Sequence, residues 1–398
     1  MIITEQAIDC LRARVGEPQA GPMRGVRLAS TDSLAGYSRG IGDLNLLYRD
    51  EGYAQSSRWR GLIGHPTFLR YVGDGEGHLA VSEGDVSDPL AGAAGAYAGI
   101  AMTFFRPVRP GERFRVRGGL ANLEVRERED GRRSVHETND TVIWTSEGRL
   151  VGVISERRIR SERRASPTLD RFASLDLSHV YEPDELAEID AEYLQEHVQG
   201  SRPRWYEDVT VGDEAPPLIK GPWTTSTYLT FVGGAGLHAS RFHYSHSEAV
   251  RIRRTNPAAF PRDELGIPVT EAAIHHDAFA ARRVGLPAPV ESGPERIAAM
   301  SHAVTNWMGD DAFLYRFAVS LRGFVFHGDL YRIACSVADK RLTERGCEVD
   351  LRLQATNQRH ESVAAGSATV LVPSRSDGLP EVPVEHSQPV SIFDDRTT

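Results

Sequence analysis

The chain has 398 residues, too long for most single cores, and its length predicts two domains of ordinary size. Charged residues make up 25% and apolar residues 40% of the sequence, so the composition indicates neither a disordered nor a membrane-spanning protein. The formal net charge of −9 argues against wholesale nucleic-acid binding, although it permits a local basic groove for an anionic ligand.

The first twenty residues predict a helix over Ile3–Arg14 but contain no continuous apolar stretch. We therefore expect neither a signal peptide nor a transmembrane segment. The three cysteines, Cys10, Cys335 and Cys347, are odd in number and widely spaced, which is typical of a reducing compartment rather than of a disulfide framework. These observations predict a soluble, cytoplasmic protein.

The first half of the chain combines loops with a set of strands. Residues 39–54 predict an irregular loop that leads into a short helix, and the glycine-rich and acidic residues 73–95 predict a second loop. Strand-like runs with turns between them then follow at 99–105, 113–128, 134–145 and 149–159. From residue 161 to 200 the strand signal is absent, and acidic helical stretches predict a surface crossover to the second half.

The second half contains the best-marked helix of the sequence. Ser292 and Glu295 have the spacing of a capping box, Pro294 suits a first helical turn, and Gly309 suits a left-handed C-cap. Apolar residues recur at spacings of three and four between these ends, so we expect a buried helix. Short strands separated by glycine turns follow from 313 to 373, which predicts a sheet wrapped around the helix.

The two halves share one order of features, which indicates an internal duplication. A loop with Asp or His is followed by a short helix, a proline-containing passage, a strand, a Gly-acid turn and further strands. We predict a first domain over 1–164, a helical crossover over 165–200, a second domain over 201–375 with an insertion at about 233–270, and a tail over 376–398. Such a duplication produces a pseudo-dimer within one chain, with a ligand groove along its seam.

Several short motifs carry a resemblance to a known family. In the first half they are Gly42-Asp43-Leu44-Asn45, Tyr53-Ala54, Gly61-Leu-Ile-Gly-His65-Pro66-Thr67 and Pro107-Val-Arg-Pro-Gly111-Glu112. In the second half they are Ile274-His275-His276-Asp277, Gly293-Pro-Glu-Arg296, Thr305-Asn-Trp-Met-Gly-Asp-Asp311, Gly328-Asp329 and Asn357-Gln358. These motifs resemble those of the MaoC-like double hotdog acyl-thioester hydratases and dehydratases, and the first half resembles the dehydratase domain of type I fatty-acid synthase. The resemblance implies an α+β double hotdog, with two antiparallel sheets each wrapped around a central helix and a pseudo-twofold axis within the chain.

The resemblance also implies an activity, the cofactor-independent addition or removal of water at the α,β-bond of a coenzyme A or carrier-protein thioester. In the family, an Asp and a His five residues apart handle the water and the proton, which suits a carboxylate and an imidazole that hold one water between them. Amide groups at the start of the central helix would face the thioester oxygen. Gly293 is the expected donor.

The sequence departs from this pattern in both halves. Tyr48 follows Asp43 at the position of the family's His, and Thr270 precedes His275 at the position of the family's Asp. Pairing Asp43 with His275 is unsafe, because pseudo-symmetry places equivalent loops at opposite ends of the assembly. We therefore expect catalysis by His275 with Gly293, and the carboxylate partner would be Glu271 or Asp277.

The candidate substrate-binding residues are Asp43, Asn45, Tyr48, His243, Arg282, Arg283 and Asn306. The arginines could clamp a coenzyme A phosphate, since guanidinium groups match phosphate oxygens, although charged helix faces are commonly only solvated. Asp43 and Asn45 could equally form an Asx-type turn that supports the fold, and Asp277 could cap the helix after it. The histidines of the insertion have no obvious third ligand, so we predict no metal site.

Three hypotheses about function follow. The first is a hydro-lyase acting on an acyl thioester. The second is a thioesterase or a cyclising lyase of specialised metabolism, and the third is a non-catalytic subunit that binds an acyl thioester or a partner chain. Exposed edges of hotdog sheets commonly pair, so we expect a homodimer.

Overall fold

A computed structural model describes residues 3–20, 26–73, 88–90, 93–127, 131–162, 172, 175–236, 247–255, 257 and 260–382. Its helices are α1 (Glu5–Arg12), α2 (Thr31–Ile41), α3 (Glu51–Ser56), α4 (Pro183–Tyr193), α5 (Thr225–Gly234), α6 (Ser247–Thr255), α7 (Ala278–Arg283) and α8 (Gly293–Met308). Its strands are β1 (Gln19–Ala20), β2 (Ala94–Phe104), β3 (Phe114–Glu127), β4 (Arg133–Thr145), β5 (Leu150–Ser161), β6 (Leu218–Lys220), β7 (Phe313–Leu321), β8 (Tyr331–Thr343), β9 (Gly346–Asn357) and β10 (Ser362–Leu371). Short 3-10 helices cover Leu46–Tyr48, Pro66–Tyr71, Tyr206–Asp208 and Glu271–His275.

The strands form one antiparallel sheet in the order β1-β3-β4-β5-β2-β7-β10-β9-β8-β6. The two five-stranded halves of this order mirror each other, which confirms the α+β class and the pseudo-twofold arrangement. They meet where β2 pairs with β7, with Ile100 opposite Val319 and Met102 opposite Phe317. The two sheets expected from the sequence are therefore joined edge to edge into one.

Helix α8 is the buried element on which the sheet packs. Its residues from Glu295 to Met308 are all buried, and it contacts strands of both halves. The corresponding segment of the first half is only the 3-10 helix Pro66–Tyr71. The expectation of a central helix in each half is therefore met by a long helix in the second half and by a short one in the first.

The ends of α8 differ from the expected caps. Ser292 is the N-cap residue and Pro294 lies in the first turn, but the Ser292 hydroxyl accepts no capping hydrogen bond. The predicted capping box is wrong because the Glu295 carboxylate turns into the protein, where it accepts a hydrogen bond from Trp223 Nε1 at 3.0 Å. Gly309 has φ +74° but ψ 174°, which lies outside the left-handed helical region expected for it.

The internal repeat is visible in the helices that precede each central segment. In the first half these helices are α2, a 3-10 helix and α3. In the second half they are, in the same order, α5, a 3-10 helix and α7, and α6 lies inside the insertion. Helices α2 and α5 cross at Gly40 and Gly234, where a Cβ on Gly40 would lie 2.9 Å from the Gly234 Cα. The two halves therefore also meet through a close contact between helix backbones.

The crossover between the halves lies against the second half. Tyr181 donates a hydrogen bond to the carbonyl of Gly328, and Tyr193 of α4 donates one to the carbonyl of Gly221. Most of α4 is exposed apart from Ile189, as expected for a surface crossover. The exact domain boundaries stay a prediction. None of the described helices combines the length and the hydropathy that a membrane span requires.

Candidate functional site

An apolar pocket lies between the first half and the end of α8. It contains about 470 Å³ of space, part of it open to solvent. Its wall is formed by Leu47, Tyr48, Trp59, Ile63, Gly64, His65, Pro66, Leu69, Phe104, Arg106, Pro107, Val108, Met308, Ala312, Phe313 and Leu314. A wall of this composition suits a largely apolar ligand that is fixed by a few polar groups.

Two of the polar wall residues are held by short local structures. Tyr48 ends the 3-10 helix that begins after Asn45, whose side-chain oxygen accepts the Leu47 amide at 2.9 Å. His65 precedes the 3-10 helix that starts at Pro66. The two rings meet edge to face with centroids 5.3 Å apart, and both residues are almost completely buried. The wall is thus rigid at this point.

The carboxylate of Asp43 lies directly beside His65. Its Oδ2 is 3.4 Å from His65 Nε2 and accepts a hydrogen bond from the Thr305 hydroxyl at 2.7 Å. Its Oδ1 accepts the Asn45 amide at 2.8 Å, so the Asx-type turn considered from the sequence is present. The fold therefore brings together a carboxylate and an imidazole that are distant in the sequence.

The His65 ring is neutral at ordinary pH. Burial lowers its pKa to about 4 and outweighs the opposite effect of the nearby Asp43 carboxylate. The Tyr37 hydroxyl donates to Thr67, whose own hydroxyl lies 2.9 Å from His65 Nδ1. The acceptor-only Asp43 carboxylate beside Nε2 favours the tautomer with the ring proton on Nε2, in which the Thr67 hydroxyl donates to Nδ1.

Besides Arg106 Nη1, two buried polar atoms of this wall have no hydrogen-bond partner among the described residues: the Tyr48 hydroxyl and His65 Nε2. Burial, reinforced by Asp43 and Asp310, raises the pKa of Tyr48 well above its ordinary value, so Tyr48 stays a phenol. Buried polar atoms without partners are rare in folded proteins and commonly mark the site of a water, ion or ligand. Here they can donate to an oxygen atom of a ligand.

A second set of polar side chains continues from Asp43 along α8. His302 Nε2 lies 2.8 Å from a carboxylate oxygen of Glu196 and 3.9 Å from Asp43. Its Nδ1 lies 2.9 Å from the Lys220 ammonium. Asn306 donates to the same Glu196 oxygen at 2.8 Å. His302 was not among the residues predicted from the sequence, although His302, Thr305 and Asn306 form a polar i, i+3, i+4 stripe on an otherwise apolar helix.

His275 lies near the other end of α8. Its Nδ1 is 2.7 Å from the Val290 carbonyl, so this nitrogen must carry the proton and Nε2 carries the lone pair. Its ring packs on Tyr228 with centroids 5.1 Å apart, and burial lowers its pKa. The position is equivalent to Tyr48, because each residue ends the 3-10 helix that precedes an Asp-capped six-residue helix.

The expected partners of His275 have other contacts in the structure or are not described. Asp277 accepts the Ala280 amide at 2.7 Å and caps α7, which is the structural role weighed from the sequence. Glu271 begins a 3-10 helix, and its side chain lies outside the described part of the chain. Thr305 binds Asp43 near the far end of α8, about 18 Å along the axis from Gly293. Asp43 and His275 therefore lie at opposite ends of this helix, as expected.

The reason for glycine at position 293 is close packing. A Cβ there would lie 2.6 Å from Leu321 and 3.1 Å from Tyr97, so a side chain is excluded by neighbouring strands. We expected the missing side chain to leave room for a thioester. The structure instead fills that direction with Tyr97 and Leu321, although the Gly293 amide still begins α8.

The remaining candidate residues are dispersed. Asn45 donates to Asp310 at 2.9 Å and, like Asp43, supports the wall without lining the pocket. Asn306 binds Glu196, and Arg282 and Arg283 are exposed on α7. His243 lies outside the described residues. Among the described residues, no group of three or more His, Cys, Asp or Glu side chains is placed to hold a metal ion.

Comparisons with known proteins agree with this architecture. Residues 28–152, which include Tyr48, His65 and Asp43, match the family model of the FAS1-like dehydratase domain region. No curated protein matched the sequence. A MaoC-like dehydratase of known structure is 15% identical with a TM-score of 0.61, and the match covers 91% of this chain and 99% of that one.

A conserved hypothetical protein from Mycobacterium tuberculosis, described as having a double hotdog fold, is 13% identical with a TM-score of 0.52. This match covers 90% of the present chain and 96% of the other. At such identities the structural likeness establishes the fold, and the family match favours hydratase or dehydratase chemistry in general. The chain has the double hotdog fold seen in MaoC-like dehydratases, and its residues 28–152 are similar to the FAS1-like dehydratase domain region.

Proposed function

We propose that the protein is a hydro-lyase that adds or removes water at the α,β-bond of an acyl thioester, with the pocket beside Tyr48 and His65 as its active site. The observation that carries this proposal is the presence of two unpartnered buried donors, the Tyr48 hydroxyl and His65 Nε2, next to the Asp43 carboxylate. The dehydratase family match, which covers all three residues, supports it.

These three side chains suffice for a syn elimination. Asp43 lies behind His65 and off the pocket wall, so the proposed reaction requires the substrate to displace the His65 ring enough to reach it. Asp43 then takes the proton from Cα, the bond between Cβ and the hydroxyl oxygen breaks, and Asp43 returns the proton to the leaving oxygen as water forms. Neutral His65 donates from Nε2 to that oxygen and orients it. Tyr48 donates to the thioester carbonyl oxygen, where negative charge develops in the transition state. Hydration is the same sequence in reverse.

The second half offers another site for the same reaction. There His275 Nε2 would act as general base, Glu271 or Asp277 would be its carboxylate partner, and the Gly293 amide would bind the thioester oxygen. We favour the first-half site because it has an apolar pocket and a carboxylate in contact with the imidazole. The carrier, coenzyme A or a carrier protein, is left open by this proposal.

The activity is tested with crotonyl-coenzyme A and 3-hydroxybutyryl-coenzyme A. Interconversion of the two, followed at the enoyl absorption band, is the expected result. Release of free thiol would instead indicate the thioesterase hypothesis. Binding without either product would indicate a non-catalytic subunit, and both results would contradict the hydro-lyase.

Variants separate the two candidate sites. Asp43→Asn and Tyr48→Phe should each lower kcat by about 100-fold or more, whereas His275→Gln should keep most activity. Tyr71→Phe is a matched control, because Tyr71 is a buried tyrosine that does not line the pocket. Loss of activity in His275→Gln with normal activity in Asp43→Asn would contradict the first-half site and would support an active site at the start of α8.

The expected cytoplasmic location and homodimer stay predictions. Light scattering on the purified chain measures its molar mass and checks the dimer.

A further inference from the structure

We propose that the pocket selects acyl groups that end in a carboxylate and that Arg106 binds this carboxylate. The inference rests on the proposed function, because it names the substrate class for the same site. Arg106 carries the permanent charge among the residues that form the pocket wall. A cation at an apolar wall is costly to bury without an anionic partner, so its surroundings indicate what it binds.

The guanidinium of Arg106 is only partly used by the protein. Its Nη2 donates to Glu112 Oε1 at 2.5 Å, whereas Nη1 is buried and has no partner among the described residues. A guanidinium can bind two carboxylates through different edges, and bonds between such charged partners are stronger than those between neutral groups. Nη1 of Arg106 is therefore a buried charged donor that lacks an acceptor among the described residues.

The charges around Arg106 favour an anion as that acceptor. The Glu112 carboxylate accepts two hydrogen bonds, one from the Arg106 guanidinium and one from the Arg109 amide, which lies 2.8 Å from Oε2. The Arg109 guanidinium is held at the Trp59 carbonyl, 2.9 Å away, and its pKa is lowered by burial and then by the positive charge of Arg106. Arg106 and Arg109 thus place two positive charges near the Glu112 carboxylate, which is hydrogen-bonded by the guanidinium of Arg106 and the backbone amide of Arg109. A ligand carboxylate would balance the remaining positive charge.

The two polar regions of the wall differ in their access to water. The side chain of Arg106 is 17% exposed, whereas that of His65 is 0% exposed. The other lining residues, apart from Tyr48, are apolar side chains or glycine and proline. A ligand that complements this wall has an apolar carbon skeleton with an oxygen function at each of two points, as in an acyl thioester with a distal carboxylate.

The test is a comparison of binding, which does not depend on turnover. Calorimetry measures the Kd of glutaryl-coenzyme A and of hexanoyl-coenzyme A, two saturated thioesters that differ at the acyl end. The wild-type protein should bind the glutaryl thioester about tenfold more tightly, and Arg106→Met should abolish this preference while Arg106→Lys keeps part of it. Equal binding, a preference for hexanoyl-coenzyme A, or no binding of either would overturn the inference.

For a second variant, Glu112→Gln, we expect the opposite change in affinity for glutaryl-coenzyme A. This variant keeps the inference testable if Arg106→Met folds poorly. Glu112→Gln removes the competing negative charge, so it should tighten binding of glutaryl-coenzyme A several-fold and leave hexanoyl-coenzyme A unchanged. Unchanged or weaker glutaryl binding in Glu112→Gln would count against Arg106. The crotonyl assay tests the hydro-lyase separately, so a lost preference with normal hydration refutes only the present inference.

Discussion

The hydroxyl of Thr305 donates a hydrogen bond to Oδ2 of Asp43 over 2.7 Å, although the two residues are 262 positions apart. Thr305 lies near the end of α8, and Asp43 lies in the loop after α2. Both side chains are buried. The helix of the second half therefore supports the carboxylate that we place at the active site of the first half.

Loss of this hydrogen bond should destabilise the protein. Thr305→Val keeps the shape of the side chain but leaves a buried carboxylate oxygen with one donor fewer, which should cost about 1–3 kcal/mol in the free energy of unfolding. Chemical denaturation measures the change. Thr305→Ser keeps the hydroxyl, so its free energy of unfolding should decrease less than that of Thr305→Val. Equal losses in the two variants would show that the methyl group, not the hydrogen bond, matters here.

The low pKa of His65 predicts a stability that falls on acidification. The unfolded ring takes up a proton near its ordinary pKa of 6.5, whereas the folded ring does so only near about 4. Between these values the unfolded state binds more protons, so the free energy of unfolding decreases as the pH falls, by up to about 3 kcal/mol from this residue.

The variant His65→Gln should remove this component. Its free energy of unfolding should decrease less than that of the wild type between pH 6.5 and pH 4, as measured by denaturation at several pH values. His136→Gln is a control, because His136 lies on β4 and is only half-buried, although burial lowers its pKa as well. Parallel pH curves for the wild type and His65→Gln would contradict the assignment.

For Glu295 we predict the opposite pH dependence of the free energy of unfolding. Burial, followed by the neighbouring Glu291, raises its pKa well above 4.5, so the folded carboxyl keeps its proton when the unfolded one has lost it. Its contribution to stability is complete below about pH 4.5 and declines as the pH rises towards its folded pKa. Glu295→Gln, which keeps an acceptor for Trp223, should be more stable than the wild type at pH 8. A less stable variant at pH 8 would show that Glu295 is ionised in the folded protein.

The crossing of α2 and α5 predicts different effects for two glycines of one helix. Gly40→Ala would bring a Cβ to 2.9 Å from Gly234, whereas a Cβ on Gly36 has nothing within 4 Å. Gly40→Ala should cost about 1–3 kcal/mol through overpacking, and Gly36→Ala should stabilise by up to about 1 kcal/mol through helix propensity. Thermal denaturation compares the two. Equal melting temperatures would mean that the helices move apart at little cost.

Sequence patterns located most of the elements because the signals for them are local. The strands predicted over 113–128 and 134–145 are observed as Phe114–Glu127 and Arg133–Thr145, and α8 covers the predicted segment. The cap at Glu295 was predicted wrongly, because tertiary contacts gave the carboxylate a buried partner, Trp223, that the local spacing does not indicate.

Local patterns in the amino-acid sequence were enough to predict the pseudo-symmetric arrangement of halves, the buried helix and the resemblance to thioester hydratases. These predictions depend on hydrophobic periodicity, turn residues and short motifs, which are all visible along the chain. The contacts between polar groups became visible in the folded protein alone. The spacing of five residues drew attention to Tyr48 and His275, but the carboxylate–imidazole contact joins Asp43 to His65. Burial then set the charge of each group, because desolvation depends on what surrounds a side chain in three dimensions.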